Sequence, residues 1–164
     1  MDNGNSPDND KRHYRSSVNW EFCPLHEAKE RIIKFFHAEW LEIESQEYPE
    51  PEVDWQLYDA LSNAGMAYAL LAKCDGVVVG YNAFMINRHI HYPKTKIASQ
   101  VGMYLEPEFR KGFTGINLIK RAEQELTKLG VNRINYQINA PTLEKILRRL
   151  GYEETAVLLT KRKV

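Results

Sequence analysis

Between Ser99 and Gln124 the sequence SQVGMYLEPEFRKGFTGINLIKRAEQ sets two cations, Arg110 and Lys111, beside Gly112 and Gly115, directly ahead of an amphipathic repeat. The run ending at Leu105 reads as a strand and the repeat after Phe113 as a helix. Such a junction leaves the first N–H groups of the helix unpaired and directs them, with the positive helix end, at whatever occupies the turn. An anion is the natural occupant. Glycine takes backbone conformations that other residues avoid and lets a ligand approach the main chain closely. The stretch is therefore read as a pyrophosphate cradle made by Arg110, Lys111, Gly112, Phe113, Thr114 and Gly115. It is neither a P-loop nor a dinucleotide fingerprint, because the glycine spacing of each is missing.

Other residues could contribute chemistry. His89 and His91 share a face if extended, but beside Tyr92 and Pro93 they read as loop residues, acceptor-site residues or a proton relay rather than a metal pair. From Ala38 to Ala60 there are eight acids (Glu39, Glu42, Glu44, Glu47, Glu50, Glu52, Asp54, Asp59) and no Lys or Arg. That run is either the solvated face of two helices or a surface that draws in a cationic partner. Arg148-Arg149 and Lys161-Arg162-Lys163 are solvated faces or, if clustered, contacts to phosphates or to nucleic acid.

The elements that must position these residues follow from periodicity. Val18, Trp20 and Phe22 alternate with polar neighbours, as in a half-buried strand ended by Pro24. From His26, apolar residues at Ile32, Ile33, Phe36, Trp40 and Ile43 make one helical face. Pro49 and Pro51 force a link, after which Asp54 caps a second helix carrying Trp55, Leu57, Tyr58 and Leu61. Ala67 to Lys73 and Val77 to Ile86 flank Cys74-Asp75-Gly76, a strong hairpin signal. Ile97 to Leu105 is a strand, Thr114 to Leu129 a helix ended by Gly130, and Val131 to Asn139 a strand. Pro141 opens a short helix through Leu150, and Tyr152 to Lys163 is expected as a last strand.

Composition bounds the class. The 164 residues suffice for one domain with a core. Residues 1–13 are expected as a disordered tail and residues 14–164 as the single domain. No apolar run approaches the roughly 18 residues that span a bilayer, and the first residues lack the apolar centre of a secretory signal. A formal net charge of zero argues against coating nucleic acid or anionic lipid by bulk electrostatics. Cys23 and Cys74 are expected as free thiols, and the localisation as cytoplasmic.

The segment YLEPEFRKGFTGINLIKRAE resembles the acetyl-CoA-binding motif of the GNAT superfamily of N-acetyltransferases, through Leu105, Pro107, Phe109, Arg110, Gly115 and the Leu118-Ile119 pair. KILRRLGYEE is similar to the family's C-terminal helix followed by a Gly-aromatic step, and the likeness is closest to versions carried by bacteriophages. It implies an α/β fold of GNAT type, with a mostly antiparallel twisted sheet flanked by helices in the order β-α-α-β-β-β-α-β-α-β. It also implies acetyl-CoA as co-substrate, no metal, and transfer of acetyl to an amine by direct attack. The cofactor contacts implied are Arg110 to Gly115 and the main chain of Met103, Tyr104 and Leu105, where a backbone N–H would hold the developing oxyanion.

The chain departs from the pattern in three places. Phe113 stands where the first glycine of the turn is usual, with Gly112 one residue early. Leu147 stands where many members carry a Tyr general acid, and Ile97, Ala98, Ser99 and Gln100 where some carry a carboxylate base. The catalytic residues are thus left unassigned, with Tyr104, Tyr136 and Gln100 as candidate water holders. The acceptor implied is an amine on a small molecule or protein. Nucleobase modification and a catalytically silent binding module stand as alternatives. A short terminal strand would leave an edge for a second subunit to cover.

Overall fold

The computed structural model describes residues 17–138 and 140–161. The expected N-terminal tail, residues 1–13, lies outside them. Five strands form one sheet in the order β1-β2-β3-β4-β5. They are β1 (Val18–Pro24), β2 (Ala67–Cys74), β3 (Val77–Arg88), β4 (Lys96–Leu105) and β5 (Arg133–Asn135). The first four pair antiparallel, and β5 joins β4 in parallel. The α/β class, the flanking helices and the mostly antiparallel sheet agree with expectation.

The central strands are apolar because both their faces are covered. In β2, AYALLAKC, six of eight residues are buried, as a strand between two layers requires. One face packs against α1 (Leu25–Ile43) and α2 (Trp55–Asn63), in a cluster that includes Ile32, Phe35, Leu71, Tyr81 and Tyr104. The other packs against α3 (Thr114–Lys128), through Leu118, Ala122 and Leu126 with Leu70, Phe84 and Leu105. After β5, Pro141 opens α4 (Pro141–Arg149), which buries Leu147. The expected cap is present, since Asp54 Oδ1 accepts from the Leu57 N–H at 2.9 Å. The β2–β3 hairpin turns through Asp75 and Gly76, both at positive φ (49° and 83°), the conformation Asp-Gly favours. Cys23 and Cys74 are buried free thiols. No helix among the described residues is long and apolar enough to cross a membrane.

Two expectations need correction. The strand expected over Val131 to Asn139 is, among the described residues, only Arg133–Asn135, matched with Ile97 to Ser99 of β4; Asn139 lies outside them. The last strand, expected over Tyr152 to Lys163, is absent among the described residues: 152–161 form no regular element, and residues 162–163 lie outside them. Val157, Leu158 and Leu159 are consecutive rather than alternating and stand 74%, 76% and 90% exposed, so no single face of a strand could bury them. Among the described residues the element order therefore ends at α4.

Candidate active site

The sheet forks at β4. Residues Ile97 to Ser99 are matched with Arg133 to Asn135, while β4 stays paired with β3 as far as Leu105. From Gln100 onward, one edge of β4 has no strand beside it among the described residues. Ala83 pairs with Gly102 and Phe84 with Gln100, so Val101 is the extra residue of a bulge. Beyond it, Glu106 N–H donates to Val79 O in the register that pairs Tyr104 with Tyr81. Backbone groups alternate sides along a strand. The N–H of Tyr104 thus faces β3, and those of Met103 and Leu105 face the open edge, within the segment expected to hold an oxyanion.

A buried polar strut marks the fork. Asn82 Nδ2 donates to the Tyr136 hydroxyl at 3.0 Å, one residue past the end of β5. The Tyr136 ring meets Phe84 and Tyr152 edge-on, and Tyr152 donates to Glu123 Oε1 at 2.6 Å. Burial is the main cause that pushes both phenols up in pKa. Tyr136 is thereby a structural tie between β3 and the start of the splay, rather than an exposed water holder.

The cradle follows β4 through a short 3-10 turn (Pro107–Phe109) into α3. Gly112 sits at φ 75°, a left-handed position that most residues avoid, so it turns the chain one residue ahead of Phe113. Phe113 is 74% exposed and precedes α3 with no side-chain cap. Thr114 and Gly115 lie in the first helical turn. A Cβ at Gly112 or Gly115 would meet nothing within 4 Å, so the space beside both is open. Arg110 is held elsewhere: Nε donates to Leu105 O at 2.6 Å, Nη2 to Glu42 Oε1 at 2.8 Å, and the guanidinium lies 5.2 Å from the Tyr104 ring. It braces the turn against β4 and α1, and Lys111 is exposed on the turn. Tyr104 itself is buried and stacked on Phe35 at 5.3 Å.

Beside the open edge lies a cavity of about 290 Å³, lined by Phe36, Glu39 and Trp40 of α1, Pro51 to Asp54 of the link, Tyr58, Tyr81, Ala83, Val101 and Gly102. Glu39 stands where cavity and edge meet. Its Oε1 accepts the Met103 N–H at 2.8 Å, and its Oε2 accepts the Tyr81 hydroxyl. Burial raises the Glu39 carboxyl above the ordinary carboxylate range, against the pull of those two donors. Tyr81 is driven well up, first by burial and then by the adjacent carboxylate. Sequence reasoning placed Glu39 only within the acidic run. The missed signal was helical phase: Glu39 follows Ile32 and Phe35 by seven and four positions, on the stripe that is in fact buried.

The histidine pair stays in its loop, with His89 Nδ1 accepting the His91 N–H at 3.1 Å. The remaining acids divide. Glu42 pairs with Arg110 and Glu50 with His37, while Glu44, Glu52 and Asp54 line the cavity.

The geometry can be set beside known proteins. Among solved structures, an aminoglycoside acetyltransferase from an uncultured soil metagenomic sample, in complex with sisomicin, superposes with a TM-score of 0.69 at 16% identity over 90% of this chain and 97% of its own. A predicted acetyltransferase from Clostridium acetobutylicum, solved with acetyl-CoA, gives 0.69 at 12% identity over 89% and 96%. AAC(6')-Iy in complex with the bisubstrate analogue CoA-S-monomethyl-acetylneamine gives 0.61 at 19% over 91% and 99%. At these identities the likeness is one of fold. No curated protein sequence matches the chain. The acetyltransferase (GNAT) family model matches residues 29–152, a span that runs from α1 through the fork and the cradle to Tyr152, and this chain belongs to that family.

Proposed function

We propose that the chain transfers an acetyl group from acetyl-CoA to an amine by direct attack. The observation that carries this reading is the meeting, at Met103, of an unpaired strand edge and an acid-lined cavity. Gly112 to Gly115 at the uncapped end of α3 would hold the pyrophosphate, with Lys111 adding charge. The Met103 N–H would hold the thioester oxygen. When bound, acetyl-CoA supplies an electrophilic carbonyl and a thiolate leaving group. A main-chain donor at the developing oxyanion does not depend on side-chain identity, so the departures at Phe113 and Leu147 leave it in place.

The acceptor is an amine that arrives charged. Glu39, Glu44, Glu52 and Asp54 give the cavity its negative sign, and Trp40, Tyr58 and Tyr81 give it flat apolar walls, a combination that recruits and holds cations. Acetyl-CoA titrated calorimetrically into the protein should bind, and absence of heat would overturn the donor assignment. Release of free CoA thiol with polyamines, aminoglycosides and lysine peptides then separates an enzyme from a silent module. Binding without acceptor-dependent thiol release favours the module. A second copy of the chain covering the edge beside β5 belongs to the same reading, and sedimentation as a monomer at high concentration removes that part.

A further inference from the structure

We propose that Glu39 is the general base of the transfer and that the donor releases it for this role: without donor its carboxylate closes the Met103 N–H, and the thioester oxygen, on taking that N–H, frees it toward the amine. The inference rests on the reading of the fork as an acetyl-CoA slot. Its ground is geometric. One carboxylate bridges the open edge of β4, through Oε1 and the Met103 N–H, and the wall of the acceptor cavity, through Oε2 and Tyr81. While the bridge stands, the N–H cannot serve an oxyanion and the carboxylate is a weak base.

Losing the Met103 N–H removes one of two donors that favour the charged form, so donor binding raises the basicity of Glu39. The surroundings push the same way. Facing it are Tyr81 from β3, Tyr58 from α2, and the acids Glu42 and Glu44 of α1 and its end, with Glu52 and Asp54 in the same cavity. Of the two cations on the cradle turn, Arg110 is engaged by Glu42. In the step itself, Glu39 takes one proton from the acceptor ammonium, and the amine lone pair forms a C–N bond to the carbonyl carbon. The C–S bond breaks with its electrons passing to sulfur, the remaining excess N–H proton goes to the thiolate, and Glu39 returns its proton to solvent. The products are the acetamide and CoA thiol.

This order of events predicts donor-first binding and a specific pH signature. Acetyl-CoA is titrated into the wild type and Glu39→Gln from pH 5 to 8, and turnover is followed with whichever of spermidine, kanamycin or a lysine peptide the wild type acetylates. The wild type should bind acetyl-CoA more weakly as pH rises through the Glu39 titration, relative to the variant. Glu39→Gln should bind about fivefold more tightly at pH 8, since a neutral acceptor holds an N–H less firmly than a charged one. Its turnover should fall at least about 100-fold and lose the acidic limb of the profile. Tyr81→Phe, which removes the second donor, should move that limb to higher pH. Parallel pH curves for donor binding in the two proteins, variant turnover within about threefold of wild type, or an unmoved limb in Tyr81→Phe would each overturn the role of Glu39 alone. A wild type that binds no acetyl-CoA would overturn the slot reading and this inference with it.

Discussion

Replacing Gly102 by Ala tests how tightly the bulge, Tyr81 and Glu39 are coupled. A Cβ there would lie 2.9 Å from the Tyr81 hydroxyl, 3.2 Å from Cε2 and 3.4 Å from Cζ. Tyr81 has little freedom to yield: it is 1% exposed, its ring lies 6.1 Å from Phe35 and 5.8 Å from Phe36, and its hydroxyl is bound to Glu39. Relief must come from a shift of the phenol or of the bulged strand. Overpacking of this kind costs about 1–3 kcal/mol, which at a urea slope of about 2 kcal/mol/M moves the unfolding midpoint by roughly 0.5–1.5 M. The closest atom is the hydroxyl, so Tyr81→Phe should absorb much of the penalty. In a double-mutant cycle read by urea unfolding, Gly102→Ala should cost about 1 kcal/mol less in the Tyr81→Phe background than in the wild type. Additive costs within about 0.5 kcal/mol would refute the contact, and with it the rigid placement of Tyr81 on which the Glu39 geometry depends.

Three further outcomes are expected. Arg110→Ala loses the bond to Leu105 O and an ion pair with Glu42 whose partners are 41% and 43% exposed; after discounting for solvent screening, stability should fall by about 1 kcal/mol. Its affinity for acetyl-CoA should fall at least about tenfold as the turn loosens, and an unchanged affinity in calorimetry would count against the cradle. Glu21 is held by Lys73 at 2.8 Å and Arg31 at 2.7 Å, and these bonds lower its pKa in the folded state. Its contribution is thus present above the unfolded value and lost as pH falls through the folded one. Glu21→Gln should cost up to about 1 kcal/mol at pH 7 for so exposed a triad, and equilibrium unfolding should show that difference closing in acid. Glu39 has the opposite sign. Its folded pKa is raised, so its own contribution to stability declines as pH climbs from the ordinary value of 4.5 through the folded one. Unfolding of wild type and Glu39→Gln across that range should show the balance moving toward the variant, and a constant difference would deny the carboxylate its burial.

Local rules made most of the fold readable. The Asp-Gly turn, the Asp54 cap, the glycines after α3 and α4 and the periods of two and three to four each act over a few residues, so the sequence carries them openly. The short β5 and the missing last strand were not readable for the same reason. Whether a β-prone stretch becomes a strand depends on the pairing it makes, and past Asn135 the chain leaves β4, which itself runs on to Leu105. The turn at Gly112 and the start of α3, where the cradle is proposed, were readable. The engagement of Arg110 by Leu105 O and Glu42 was not, because Glu42 lies 68 positions away in sequence.

Glu39 owes its place to the phase of α1. Reading that helix through Ile32, Ile33, Phe36, Trp40 and Ile43 centres its apolar stripe slightly off the buried positions, which are Leu25, Ala28, Ile32 and Phe35. Continued by one turn, the buried set reaches Glu39. A carboxylate on the core face of a helix is costly unless donors meet it, and here the donors are a backbone N–H at the open fork and a phenol in the cavity wall. Ordinary packing could have filled that position with an apolar side chain. The fork makes that choice poor, because an apolar residue at 39 would leave the Met103 N–H without its present acceptor. The carboxylate therefore satisfies the strand edge in the absence of a ligand, and its bond to Met103 is also the one that a bound thioester oxygen would replace.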